Sequence, residues 1–187
     1  MNKTTALLIL APGFEEIEAL ATADILRRLN CRVLLCGLDD ITVRGSHHIT
    51  VTADTTFDEA PIDSASVIIL PGGLPGAANL RDSEKLIPVL RQYHLSGKYL
   101  AAICAAPIVF KFAGIADGAV MTGYPGCEPL SGAEDLEFTG KMVECDNGLI
   151  TGKGPGATPY FAAAIAKYVF DVKDDEITKT LTGMFIA

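Results

Sequence analysis

Apolar residues follow two alternating patterns along this chain of 187 residues. Short runs rich in Leu, Ile and Val predict buried β-strands, and the longer segments between them carry apolar residues every three or four positions, which predicts amphipathic helices. The predicted strands are residues 6–11, 32–38, 67–70 and 99–104. Regular alternation of strands and helices indicates a parallel sheet covered by helices on both faces. The pattern therefore predicts an α/β fold of the flavodoxin-like, doubly wound, mostly parallel kind.

Helical spacing also predicts which side chains face the core. The predicted core stripes are Phe14, Ile17, Ala21 and Ile25; Leu86, Val89 and Leu90; and Phe161, Ala164, Ile165 and Tyr168. Residues 41–53 and 142–151 instead read as hairpins that extend or flank the sheet. Because no linker or repeat divides the chain, one domain over residues 1–187 is predicted.

Composition narrows the class of protein. The net charge of -8 argues against a basic surface for nucleic acid as the primary partner. No apolar run approaches the ~18 residues needed to cross a membrane, and the apolar start lacks the basic region and cleavage site of a signal peptide. The chain has five cysteines, an odd number, and no two of them form a Cys-x-x-Cys pair. We expect a soluble, unprocessed protein in the reducing cytoplasm.

Cys104 stands where the predicted strand 99–104 gives way to a predicted helix beginning at Ala105. This geometry resembles a nucleophile elbow. The unpaired N–H groups of a first helical turn and the positive end of the helix dipole favour a thiolate, so we expect the pKa of this thiol to be lowered.

Glu18 lies at the border of the apolar stripe that contains Ile17 and Ala21. Taken alone, it is most simply a tolerated edge residue of a surface helix. If it is buried beside Cys104, desolvation would keep it protonated, able to donate a hydrogen bond to the sulfur. Glu15 and Glu16, one turn earlier, are expected to cap or solvate the helix start.

Two glycine-rich turns follow predicted strands and allow two interpretations each. The N–H groups of Gly73 and Leu74 would form part of an oxyanion hole, or the segment is an ordinary strand-to-helix turn. Gly154-Pro155-Gly156 is likewise an edge of the pocket or a tight turn.

Histidines are scarce, and this limits the chemistry. The chain contains His47, His48 and His94, and none follows the cysteine. A Cys-His-Asp triad is therefore unsupported. Because the histidines are separated from acidic neighbours in sequence, no metal site is predicted.

Five motifs in order carry a resemblance to a known family. They are Ala11-Pro-Gly-Phe-Glu-Glu-Ile-Glu18, Leu70-Pro-Gly-Gly73, Ala101-Ala-Ile-Cys-Ala-Ala-Pro107, Met121-Thr-Gly-Tyr-Pro125 and Gly154-Pro-Gly156. Together they resemble the ThiJ/PfpI superfamily, in particular its Parkinson disease protein 7 branch with its bacterial YajL-like members. The resemblance covers nearly the whole chain.

This resemblance implies a homodimer in which Cys104 is the reactive, oxidation-sensitive thiol and Glu18 its protonated carboxyl partner. Backbone donors from Gly73 and Ala105 are implied near the sulfur. A pocket formed by Glu15, Tyr124, Gly154 and Pro155 completes the predicted site.

The implied function is detoxification of reactive dicarbonyls or glycated adducts, by a glutathione-independent glyoxalase or protein deglycase that needs no cofactor. Its substrate would be a small dicarbonyl or a glycated group. The alternative is a non-enzymatic stress protein or chaperone switched by oxidation of Cys104.

The chain also departs from parts of the family pattern. Tyr124 stands where some members of the family carry a histidine near the cysteine that can act as a base, so we expect slow turnover. Ala105 replaces the histidine of the protease-like branch, which disfavours peptidase activity. No histidine follows His94, which disfavours a class I amidotransferase. His47 stands where relatives often have an arginine that reaches the neighbouring subunit.

Overall fold

The structure is a computed structural model that describes residues 4–132 and 136–186. Within these ranges the strands are β1 (Thr5–Leu10), β2 (Arg32–Gly37), β3 (Thr42–Arg44), β4 (Thr50–Thr52), β5 (Thr55–Thr56), β6 (Val67–Leu70), β7 (Tyr99–Ile103), β8 (Val143–Asp146) and β9 (Leu149–Gly152). The α-helices of the same ranges are α1 (Glu16–Arg28), α2 (Gly76–Arg81), α3 (Leu86–Leu95), α4 (Pro107–Phe112), α5 (Thr158–Phe170) and α6 (Asp174–Gly183).

In this described part of the chain, seven strands form one sheet in the order β5-β2-β1-β6-β7-β9-β8. Every neighbouring pair is parallel except β8 with β9. The predicted flavodoxin-like α/β fold is confirmed. Both predicted hairpins are also present: β8–β9 extends the sheet, and β3–β4 forms a separate antiparallel pair.

The core lies on both faces of the sheet because the central strands are buried on both sides. Leu7 and Ile9 of β1 pack into one apolar cluster, and Leu8 and Leu10 pack into the other. This is the period-two alternation of a strand between two helical layers. Strands β1, β6 and β7 are parallel neighbours, so their carboxyl ends lie side by side at the same end of the sheet.

Two of the predicted core stripes are partly wrong. Ile17 of α1 is 56% exposed, and Tyr168 of α5 is 47% exposed. The reason in α1 is that its buried face is centred on Glu18, Ala19 and Thr22, where the helix packs against α5. Small and polar residues allow this close packing, so hydrophobicity alone misplaces the buried face.

No helix among residues 4–132 and 136–186 has the length and apolar character needed to cross a membrane.

Candidate active site

Cys104 follows β7 in a left-handed backbone conformation, with φ of 64°. Its N–H donates to the Gly152 carbonyl at 2.8 Å, and its own carbonyl accepts from the Tyr124 N–H at 2.7 Å. A non-glycine residue in this conformation is strained and persists only where its surroundings fix it. The predicted elbow is therefore present. Helix α4 begins only at Pro107, so the sulfur does not lie directly on a helical turn.

Glu18 is almost fully buried, with 1% of its surface exposed. Its Oε2 accepts a hydrogen bond from the Gly72 N–H at 2.8 Å, and the carboxyl interacts with the Cys104 thiol. Oε1 is buried with no well-directed hydrogen bond among the described residues. The structure thus brings together Glu18 and Cys104, the two residues that sequence analysis singled out, and excludes the view of Glu18 as a surface edge residue.

Gly72 is the spacer between these two side chains. A Cβ at this position would lie 2.7 Å from both the Cβ of Cys104 and Oε2 of Glu18. Only a residue without a side chain fits there without displacing one of them. Sequence analysis missed Gly72, although the doubled glycine after β6 was a signal.

Backbone N–H groups of Gly73 and Ala105 are close enough to the Cys104 sulfur to lower the pKa of its thiol. Gly73 adopts φ of 87°, and a Cβ there would lie 2.5 Å from the Glu15 nitrogen, so the turn requires glycine. The side chain of Leu74 is 52% exposed. No hydrogen bond between its N–H and Cys104 is found among the described residues, so its part in an oxyanion hole stays a prediction.

Burial raises the pKa of the Glu18 carboxyl to about 7, and the negative charge of Glu15 adds to this effect. Hydrogen bonds from Cys104 and the Gly72 N–H act in the opposite direction. A carboxyl with this pKa exchanges a proton readily at neutral pH.

The pKa of the Cys104 thiol is raised, not lowered as the sequence predicts. Burial is the largest cause, followed by the charge and hydrogen bond of Glu18, and these outweigh the N–H groups of Ala105 and Gly73. Sequence analysis weighed the amide donors but could not see the buried carboxylate. The two groups titrate as a pair, because ionisation of one opposes ionisation of the other.

Glu15 is the N-cap of α1, as predicted, and its Oε2 accepts from the Glu18 N–H at 2.7 Å. Glu16 is not the solvated residue that sequence analysis expects. It is buried, and its Oε1 accepts from the N–H groups of His47 at 2.8 Å and Ile49 at 3.3 Å. These contacts anchor the β3–β4 loop to the start of α1 and bridge about thirty residues of sequence, so no local pattern reveals them.

The predicted pocket residues occupy two separate places. Tyr124, Gly154 and Pro155 line one small apolar cavity of about 210 Å³, beside the segment that binds the Cys104 carbonyl. Glu15 is not among its lining residues and lies at the start of α1 instead. Met142 also lines this cavity, whereas Cys104 does not.

His47 lies next to acidic residues, which contradicts the inference drawn from its separation in sequence. Its Nδ1 is 2.9 Å from Oε2 of Glu16 and 3.9 Å from Oε1 of Glu15. The hairpin folds back onto α1, so separation along the chain does not become separation in space.

The chain is similar to known proteins of one family over most of its length. A model described as the DJ-1/PfpI family matches residues 4–168. Protein dj-1beta of Drosophila melanogaster is 35% identical over 188 residues, covering 100% of this chain and 99% of that protein. Its crystal structure superposes with a TM-score of 0.91 over 99% of each chain at 34% identity.

Two further relatives extend the comparison. Deglycase PfpI of Pyrococcus furiosus is 27% identical over 150 residues, covering 80% of this chain and 90% of that protein. A structure described as oxidized DJ-1 of Toxoplasma gondii is 30% identical, with a TM-score of 0.88 over 98% of this chain and 99% of that one.

Proposed function

Because the chain belongs to the DJ-1/PfpI family, we propose that it is a cysteine-dependent enzyme acting on reactive dicarbonyls or the glycated adducts they form. The observation that carries this proposal is the Cys104 thiol held against the Glu18 carboxyl, whose pKa is raised to about 7. A relative described as a deglycase supports the same class of reaction. A glutathione-independent glyoxalase or protein deglycase is the activity that we test.

The first step pairs a nucleophile with a base. The Cys104 sulfur attacks the aldehyde carbon of methylglyoxal, and Glu18 accepts the thiol proton as the carbon–sulfur bond forms. The carbonyl oxygen takes the displaced electron pair, and Glu18 returns the thiol proton to it, which gives a hemithioacetal and leaves Glu18 ionised. N–H groups near the sulfur, of which Gly73 and Ala105 are the described donors, stabilise the developing negative charge.

Proton transfer then completes an internal redox change. Glu18 removes the proton from the former aldehyde carbon to give an enediol and returns it to the neighbouring keto carbon. The hydroxyl proton of the hemithioacetal passes to the keto oxygen, so the hemithioacetal becomes a lactoyl thioester. Water cleaves the thioester to lactate and restores the thiol. The sum is methylglyoxal plus water giving lactate, with no external oxidant. Only one carboxyl serves these transfers, so turnover is expected to be slow.

The test is lactate formation from methylglyoxal over several equivalents of substrate per chain under reducing conditions. We expect Cys104→Ser to abolish turnover and Glu18→Gln to lower kcat by roughly 10²–10⁴-fold, the usual contribution of a general acid–base group. Cys145→Ser is the matched control, because Cys145 is an exposed thiol on β8. Equal turnover in wild type and Cys104→Ser, or product that stops at one equivalent, would contradict the enzyme.

A second function is favoured by the donors around the sulfur and by a relative described in an oxidized state. Cys104 would be oxidised by peroxide to a sulfinate, whose oxygens take hydrogen bonds from backbone N–H groups and from protonated Glu18. The protein would then act as a redox-switched stress protein or chaperone. Product limited to one equivalent, with client protection that appears only after peroxide and is lost in Cys104→Ser, would favour this function over the enzyme.

We further propose a homodimer in the reducing cytoplasm. All five cysteines are free, which suits a reducing compartment. Ile17 and Ile49 expose more than half of their surface on segments joined through Glu16, and exposed apolar groups of this kind mark association surfaces. Ile17→Glu should therefore convert a dimer into a monomer in light scattering, whereas Leu95→Glu, at the exposed end of α3, should not. A monomeric wild type would contradict this proposal.

A further inference from the structure

The small apolar cavity beside Cys104 takes no part in the proton and bond transfers of the proposed reaction. Its walls are formed by the same two segments that hold Cys104. The Tyr124 N–H donates to the Cys104 carbonyl at 2.7 Å, and the Cys104 N–H donates to the Gly152 carbonyl at 2.8 Å. Tyr124 and residues 153–157, which directly follow Gly152, line the cavity. The cavity therefore adjoins the residue that carries the reacting sulfur.

The strand order places the cavity and the acid–base group on opposite sides of Cys104. Strand β7, which leads to Cys104, lies between β6 and β9. The turn after β6 contains Gly72, whose N–H donates to Glu18. Residues 153–157 follow β9 on the other side. A substrate group that enters the cavity thus extends away from Glu18 and does not obstruct proton transfer.

Most side chains around the cavity are apolar. Pro125, Met142 and Pro155 line it together with Tyr124, and Tyr124 and Met142 leave 51% and 45% of their surface exposed. Lys153 is the one charged residue of the described lining. A lysine can pack its methylene stem on an apolar wall while its ammonium group stays in water. Large apolar side chains that are open to solvent beside a reactive group suit an apolar ligand group.

The volume of the cavity decides which groups fit. An engineered apolar cavity of about 150 Å³ binds benzene. The cavity here is larger, about 210 Å³, so it accommodates a phenyl ring or a branched alkyl group. The methyl group of methylglyoxal would leave most of it unfilled. The hydroxyl groups of a sugar-derived dicarbonyl would lose hydrogen bonds to water against these walls, which is costly.

We propose that this cavity binds the substituent of an alkyl or aryl 2-oxoaldehyde whose aldehyde carbon is attacked by Cys104. Tyr124 and Met142 are then the residues that determine specificity. This inference rests on the proposed function and names its substrate class. Phenylglyoxal would follow the steps given for methylglyoxal, so that phenylglyoxal plus water gives mandelate with no external oxidant.

The first experiment needs no turnover. In a Cys145→Ser parent, mass spectrometry of the Cys104 peptide measures alkylation by N-phenyliodoacetamide and by iodoacetamide, each rate divided by that of glutathione. The phenyl group of the first reagent follows the carbonyl carbon, as the substituent does in the substrate. We expect the phenyl reagent to be favoured about tenfold, the lower end of what a filled apolar pocket contributes. This ratio should fall towards one in Tyr124→Ala and in Met142→Ala.

Two further variants separate the cavity from general effects of substitution. Tyr124→Phe keeps the aromatic wall and should retain the ratio of the parent. Tyr168→Ala is the matched control, because Tyr168 is 47% exposed and lines a separate groove. It should also behave as the parent does. Circular dichroism checks that each variant is folded.

The second experiment measures kcat/KM for phenylglyoxal and methylglyoxal from the mandelate and lactate formed. Phenylglyoxal should be preferred, and Tyr124→Ala and Met142→Ala should reduce this preference mainly through KM, because the cavity binds a group that does not react.

The two experiments fail in different ways. Equal alkylation ratios in the parent, Tyr124→Ala and Met142→Ala would overturn the role of the cavity, whereas continued lactate formation would still support the enzyme. An alkylation ratio that depends on Tyr124 and Met142, without turnover of either aldehyde, would refute the enzyme and support the cavity as a binding site for apolar groups.

Discussion

At the scale of single residues, Cys104 and Glu18 share one buried environment, so neither titrates alone. Burial raises the pKa of both groups, and each negative charge opposes the other. Over a wide pH range above neutrality the pair therefore carries a single negative charge. Two N–H donors stabilise this charge on the sulfur, and the Gly72 N–H stabilises it on the carboxyl. When the sulfur attacks a carbonyl, the thiol proton moves to Glu18 and the negative charge passes to the carbonyl oxygen.

The pH dependence of Cys104 alkylation reports this pairing. In a Cys145→Ser background, the rate with iodoacetamide should rise through pH about 7, where Glu18 becomes able to accept the thiol proton. In Glu18→Gln the midpoint should move above the ordinary thiol value of about 8.5, because burial remains while the base is lost. Glu84→Gln, on the surface, should leave the profile unchanged. Superimposable profiles for Glu18→Gln and its parent would refute the pairing.

The free energy of unfolding should depend on pH in the way that the raised pKa of Glu18 requires. A carboxyl whose folded pKa is raised contributes stability below its unfolded value of 4.5, and this contribution is lost as the pH rises through about 7. The free energy of unfolding of wild type minus that of Glu18→Gln should thus fall by roughly 3 kcal/mol between pH 4.5 and 7. Urea titrations at several pH values measure this difference, in which groups common to both proteins cancel. A difference that is constant or rises with pH would contradict the buried, proton-holding carboxyl.

At the scale of elements, the strand ends and turns hold the site, and these were the most predictable parts of the chain. Apolar runs identify β6 and β7, and the residues after them contain Gly73 and Cys104. The rotation of α1 was less predictable, because its buried face carries Glu18 and leaves Ile17 outside. Helical periodicity predicts the buried face from hydrophobicity alone. In α1 the buried face is determined instead by close packing against α5 and by the interaction of Glu18 with the Cys104 thiol.

The spacer position offers a direct test of this geometry. Gly72→Ala should destabilise the fold by about 1–3 kcal/mol, the usual cost of overpacking, and should reduce Cys104 reactivity at any pH. The added methyl group meets Cys104 and Glu18 at 2.7 Å. Gly183→Ala at the end of α6 is the control, since its Cβ would meet nothing within 4 Å, and we expect no loss. Unchanged stability and reactivity in Gly72→Ala would show that the two side chains are not held at this separation.

At the scale of the whole molecule, the strand order decides which segments meet. Strands β1, β6 and β7 are neighbours in the middle of the sheet, so the segments after them converge although about ninety residues separate the first from the last. The rhythm of strands and helices predicted the class of fold. It could not predict that the β3–β4 loop would reach α1, because that contact depends on Glu16 entering a loop some thirty residues away.

The single domain over residues 1–187 stays a prediction, and unfolding tests it. Far-UV circular dichroism and tyrosine fluorescence should give one coincident urea midpoint at fixed protein concentration, because one sheet joins strands from both ends of the described chain. The chain has no tryptophan, so tyrosine is the fluorescent probe. Two separated midpoints, or a folded fragment that survives proteolysis, would indicate more than one unit.

The Cys104–Glu18 pair is held largely by main-chain N–H groups, from Gly72, Gly73 and Ala105. Replacing side chains one at a time leaves such donors in place, so a mutational scan would report the thiol and the carboxyl and overlook most of what surrounds them. Exchanging a single amide for an ester by chemical synthesis, at Gly73 or at Ala105, would delete one donor without altering any side chain. Chemical synthesis can thus measure the contribution of these backbone N–H groups, which amino-acid substitution leaves almost undetected.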